Sequence, residues 1–287
     1  MNSTVLPCLA SRTLAAGLVA AACMPAMAQS PAQAWYDSRF VVNLGTFVVG
    51  TDLEARLDGE FTGDNEEVDF DETFGLGKNA TRWRVDALWR IAPRHQLRLG
   101  YFDYSNSRTK VIDRDIEWGD YTFSAGGEVK ASYESEIYVL SYEYSFVRQP
   151  TYEIAAGIGV HYSNLSFKLS GNATLTDENG NVVDQGVVNE AANAPVPLPV
   201  IGLRGTWVVS PNVVLEAAGS AFSANYDAYD GVWYQLRAGA TWMFNRNFGL
   251  GVGYTYFRTE VDVDRDSFRG SLTTNYSGLQ VFLTGAF

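Results

Sequence analysis

Gly278-Leu279-Gln280-Val281-Phe282-Leu283-Thr284-Gly285-Ala286-Phe287 is the stretch that decides how the chain is read. Leu279, Val281, Leu283, Gly285 and Phe287 fall on one side of an extended backbone, and Gln280, Phe282, Thr284 and Ala286 on the other. A period of two over this length predicts a β-strand with two different faces. In water an apolar strand ending on an aromatic residue would be an exposed, aggregation-prone edge. In a closed barrel crossing a bilayer it is paired on both sides, and its apolar face meets hydrocarbon.

The same alternation recurs back along the chain. Phe40, Val42, Leu44 and Val48 oppose Asn43 and Gly45, and Trp83, Val85, Ala87, Trp89 and Ile91 oppose Arg82, Arg84, Asp86, Leu88 and Arg90. Tyr138, Leu140, Tyr142, Tyr144 and Phe146 oppose Val139, Ser141, Glu143 and Ser145. Further segments lie near 96–103, 152–162, 201–209, 213–217, 232–244 and 248–256, which with the last strand makes ten. Short turns at 92–95, 148–151, 210–212 and 245–247 alternate with long polar connections, among them 50–79, 105–132, 171–199 and 258–272. The predicted fold is all-β: an antiparallel up-and-down transmembrane barrel with short periplasmic turns and long extracellular loops. The expected strand number is about ten, within a range of 8–12, because 50–79 and 171–199 (the latter with the turn signal Asn179-Gly180) have room for a further hairpin each.

A soluble β-sandwich is the rival. It does not account for Trp89, Phe146, Tyr152, Trp207, Trp242, Phe244, Phe248 and Phe287, which all lie beside a short turn or at the C-terminus. That placement is expected of an aromatic girdle at a membrane interface. No run of ~18 apolar residues follows the first 28, so no transmembrane helix is expected. Aromatic residues at 14% together with 27 Gly suit a strand-and-turn protein, and a net charge of −12 argues against a nucleic-acid partner.

Residues 1–28 read as a secretory signal peptide. Arg12 precedes a short apolar run, and Ala26-Met27-Ala28 is a cleavage signature, leaving 29–287 as a single barrel domain. A lipoprotein cut before Cys23 is the alternative. Both cysteines, Cys8 and Cys23, lie in this leader, so the mature chain is expected to have no thiol or disulfide chemistry.

With its leader, its alternating strands and its terminal segment 278–287, the chain resembles the bacterial outer-membrane β-barrel superfamily, in the group of small barrels that includes the outer-membrane protein A and W types. The resemblance implies an outer-membrane location in a Gram-negative cell. It also implies outer-membrane lipid and lipopolysaccharide as surroundings, and Phe287 as the signal read by the barrel-assembly machinery. The sequence departs from that pattern at Gly285, where a larger apolar residue is usual.

A barrel of ten strands is filled or nearly so. Its inward face is predicted to carry Arg82, Arg84, Arg90, Arg98, Arg204 and Arg237 with Asp86, Glu143, Glu153 and Glu216. Buried charges must pair, so the expectation is an ion-pair network that plugs the lumen of a non-enzymatic, structural or surface-interacting protein without a cofactor. A narrow pore for small solutes is the alternative, with weak anion preference from the arginine excess.

His161-Tyr162-Ser163-Asn164 is similar to the His-x-Ser-Asn motif of outer-membrane lipid A 3-O-deacylases. That likeness implies a Ser163 nucleophile and a His161 base. The only acids nearby downstream, Asp177 and Glu178, do not fit the family's spacing, and the alternation turns both residues inward. A barrel protease needs acids and a histidine together at the outer rim; His161 lies toward that rim without an identifiable acid. Neither the acidic stretch 52–72 nor Asp262-Val263-Asp264-Arg265-Asp266 matches a calcium loop; the second has Ser267 and Thr273 where Gly and Glu are required.

Overall fold

The computed structural model describes residues 29–60, 63–77, 80–176, 181–226, 229–265 and 268–287. The leader, Asp177 to Gly180, Asp266 and Ser267 lie outside these residues. The elements in order are α1 (Pro31–Asp37), β1 (Phe40–Leu57), β2 (Val68–Asp69), α2 (Phe70–Phe74), β3 (Ala80–Ala92), β4 (His95–Val111), β5 (Ile116–Trp118), β6 (Tyr121–Phe123), β7 (Glu128–Arg148), β8 (Tyr152–Thr176), β9 (Val182–Ser210), β10 (Val213–Tyr226), β11 (Tyr229–Met243), β12 (Phe248–Arg265) and β13 (Phe268–Ala286). Ten of them, β1, β3, β4 and β7 to β13, pair antiparallel in sequence order, and β1 pairs with β13 to close the barrel. The short β2, β5 and β6 are appended to this wall.

The terminal strand stands where the alternation requires. Leu283 faces Leu44 on one side and Leu250 on the other. Leu279, Val281, Leu283 and Phe287 point out and are 49–64% exposed, whereas Gln280, Phe282, Thr284 and Ala286 are buried. The same outward apolar surface continues round the wall as a band of the kind that meets lipid. At the short-turn end, Phe40 stacks on Trp89, Trp242 meets Phe244, and Phe248 meets Phe287. A second aromatic row borders the band on the far side, formed by Tyr101, Tyr138 and Tyr162 and by Tyr234 with Tyr256.

Much of what reads as long polar loops is strand. β7 has 21 residues, β8 25 and β9 29, about two to three times the ~9–11 that a bilayer needs. The cause is an exchange of environment. Within the band of β7 the even-numbered Tyr138 to Phe146 point out to lipid. Above it the odd-numbered Val129, Ala131 and Tyr133 point in and are buried, with Lys130 and Glu134 turned to water. The strand continues while its apolar set changes face, so the outer half of the barrel encloses an apolar core.

That core is completed by the segment after β1. Asp69 caps α2 by accepting from the backbone N–H groups of Asp71 (2.9 Å) and Glu72 (2.8 Å), and Gly75 ends the helix in the left-handed region at φ 72°. Phe70 then lies inside the barrel, 5.4 Å from Trp118 and 5.7 Å from Phe167, ring centre to ring centre. Buried Asn65 ties the segment down: its side-chain amide donates to the carbonyls of Leu57 (2.7 Å) and Gly119 (2.8 Å), and its backbone N–H to Asp58 (3.0 Å).

Candidate functional site: the closed interior

The interior is layered. The mouth at the short-turn end holds α1, a helix that Ser30 caps and Pro31 begins. Ala32, Trp35 and Tyr36 are buried against Val41, Leu88, Val214, Met243 and Ala286. Trp35 Nε1 donates to Thr284 Oγ1 (3.2 Å), and Tyr36 donates to the carbonyl of Gln149 (2.8 Å). Burial, reinforced by the nearby Glu153 charge, pushes the Tyr36 phenol up to about 12.

Above α1 lies Glu153. Arg90 grips both its oxygens at 3.1 Å, Arg148 donates to Oε2 at 2.7 Å, and Ser145 adds a hydroxyl at 3.2 Å. Arg148 also bonds Asp37 (2.9 Å) and lies 4.7 Å over the Tyr36 ring, so one arginine ties the helix to the wall.

The next layer contains two clusters. Asp86 receives Arg84 (3.0 and 3.2 Å) and Arg237 (3.1 and 3.4 Å). Glu143 receives Arg98 and Arg204 at 3.1 Å and Gln96 at 3.2 Å, and Arg98 reaches on to Glu216 at 3.2 Å. Between these groups is a cavity of about 110 Å³ lined by Arg84, Asp86, Arg98, Glu143, Arg204 and Arg237 among others. This layer joins four arginines to three carboxylates, which leaves a small positive excess.

The structure therefore brings together Arg84, Asp86 and Arg237; Arg98, Glu143, Arg204 and Glu216; and Arg90 with Glu153. Arg82 stands apart, bonded to the carbonyl and hydroxyl of Ser105 and lying 5.8 Å from the centre of the Tyr104 ring. The predicted inward set does not include Arg148, Gln96 or α1. The signal for α1, Ser30-Pro31 ahead of Trp35-Tyr36, is short and lies against the expected leader cut.

His161 and Ser163 are both buried inside the wall. His161 packs on Trp233 with ring centres 4.1 Å apart, and the charges it faces are Arg84 and Arg237, both cations. It lies beneath the outer core rather than at the rim, so no carboxylate among the described residues is in place to orient it as a base. Higher still, the hydroxyls of Tyr133 and Tyr276 bond to one another. The acids of 52–72 are dispersed: Asp58 pairs with Arg56 at 3.0 Å, Asp69 caps α2, and Asp71 accepts from the Gly77 N–H at 3.1 Å.

The sequence matches no family model and no curated protein. Among solved structures, the chain is similar to the outer membrane protease OmpT of Escherichia coli, with 13% identity, a TM-score of 0.58, and coverage of 88% of this chain and 97% of that one. Neisserial surface protein A (12% identity, TM-score 0.31, 87% and 98% covered) and the Pseudomonas putida toluene transporter TodX (10%, 0.33, 90% and 92%) also match, more loosely. These are likenesses of fold. With its closed ten-strand wall, apolar band and two aromatic rows, the chain has the fold of the bacterial outer-membrane β-barrels.

Proposed function

We propose that this protein is an axially sealed, non-enzymatic barrel that acts through its outer surface. The observation that carries the reading is closure at both ends: α1 fills the periplasmic mouth, and the Phe70–Trp118–Phe167 core fills the outer half. Between them each inward carboxylate is held by arginine, which favours a network that braces the wall over one that conducts. On this reading the partners are the lipid and lipopolysaccharide around the band, and the assembly machinery during insertion. Phe287, exposed and joined to Phe40 by two 2.8 Å backbone bonds, supports the last role.

Swelling of proteoliposomes in small sugars or amino acids tests the sealed lumen. Swelling no faster than in protein-free vesicles is expected, and rapid swelling would replace the reading with a pore. A lipid A deacylation assay with the parent protein and with Ser163→Ala tests the absence of catalysis: no released acyl chain is expected from either, and release lost on substitution would refute it.

A further inference from the structure

The wall is not uniform. β9 and β10 pair from the short turn only as far as Ile201, which faces Ala221. Beyond that, β9 pairs with β8 alone and β10 with β11 alone among the described residues. The sequence of β9 explains where the ladder stops. Val208 N–H bonds to the carbonyl of Thr151, so even-numbered residues of β9 face β8, and the register holds unbroken from Tyr152↔Trp207 to Leu175↔Asp184. Odd-numbered residues therefore face β10. The next three of these after Ile201 are Pro199, Pro197 and Pro195. Proline has no N–H to donate. Three successive ladder positions on this edge lack a donor, while the β8 side of the same segment pairs without interruption.

The level of this seam matters. Pro199 lies opposite Val160 and Pro197 opposite Tyr162, both outward residues of the apolar band, and Tyr162 belongs to the outer aromatic row. The ladder thus ends inside the outer leaflet, where unpaired backbone is ordinarily excluded. The two sides of the seam are apolar. Inside are Leu198, Val200 and Trp233 of the outer core, with Phe222 packed against it. Outside, at its foot, a groove of about 800 Å³ is lined by Ile158, Ile201, Leu203, Ala221, Tyr234 and Leu236, continuous with the lipid-facing band. Gly157, Gly202 and Gly219 line both this groove and the interior cavity, so the wall here is only backbone thick.

We propose that the β9–β10 seam is a lateral portal that admits the acyl chain of an outer-leaflet lipid from the outer groove into the gap between the two strands, as far as the edge of the packed core at Leu198, Val200, Phe222 and Trp233. The lipid band supplies the occupant, the proline edge prevents the wall from zipping shut, and its unmatched carbonyls accept from donors at the polar end of the amphiphile. The portal opens sideways, so it is independent of whether solutes pass along the axis.

Vesicles containing a phospholipid with a photoactivatable acyl chain test this on the full-length folded protein. After irradiation, adducts are expected on the inward Leu198, Val200, Phe222 and Trp233 as well as on the outward Ile201 and Leu203. Adducts confined to outward residues would overturn the proposal. Pro199→Cys with Ser223→Cys places thiols opposite each other two residues beyond the last Ile201–Ala221 pair, in a chain with no cysteine beyond residue 23. Oxidation is expected to abolish the inward adducts and leave the outward ones, with recovery on reduction. Inward adducts that persist in the oxidised protein would show that the seam is not the route. Pro197→Thr with Pro199→Thr restores the donors without a cross-link and is expected to give the same loss. Heat-modifiable gel mobility checks that each variant is folded.

Discussion

Glu143 shows how the interior is held at the scale of single residues. Two arginines and a glutamine converge on it in a region away from bulk water. Removing one partner of such a cluster leaves buried charge uncompensated, which costs about 3–5 kcal/mol. Glu143→Gln is therefore expected to lower unfolding stability in detergent by about that much, measured by urea titration of tryptophan fluorescence. A loss below about 1 kcal/mol would place the cluster with weakly coupled, solvated pairs. Gly251 poses a steric test: a methyl there would sit 2.1 Å from the ring of Phe282. Gly251→Ala is expected to cost about 1–3 kcal/mol by forcing Phe282 off its position, whereas Gly253→Ala, with 3.3 Å to the nearest atom, is expected to cost less. Most of these inward charges could be read from sequence, because a strand's period of two names its inward residues without any tertiary information. Which acid meets which arginine could not, since partners such as Asp86 and Arg237 are 151 residues apart.

At the scale of elements, the two closures make separate predictions. Trp35 and Tyr36 anchor α1, so Trp35→Ala with Tyr36→Ala is expected to free the helix, seen as fast amide exchange over 29–38 with the barrel intact. Protection unchanged from the parent would mean that α1 is held by other contacts. Asn65→Ala removes the donors to Leu57 and Gly119. It is expected to make the segment 58–77 protease-sensitive in whole cells, while β1 and β3 stay protected; equal resistance in parent and variant would contradict the stapling role. These elements were the least legible. α1 is seven residues without a long apolar repeat. The 52–72 stretch hides Val68, Phe70 and Phe74 among ten acids, so its composition reads as solvent-facing while its apolar residues point inward. The extension of β7 was visible in principle, as Val129, Ala131 and Tyr133 continue the period of two. Their apolar set is shifted by one residue from that of Tyr138 to Phe146, and a reading that follows one phase ends the strand where lipid gives way to water.

At the scale of the whole molecule, the lipid band fixed by outward alternation was the most legible feature, and it locates the chain. The interior sets what passes through it. A sealed axis with a braced middle layer differs from a channel in one observable, ion flow along the barrel, and recording from single proteins in a planar bilayer reads it directly. No steady conductance steps are expected from the parent protein at any holding potential that the bilayer tolerates. Reproducible unitary steps, with reversal potentials shifted toward anions by the arginine excess, would contradict the sealed axis.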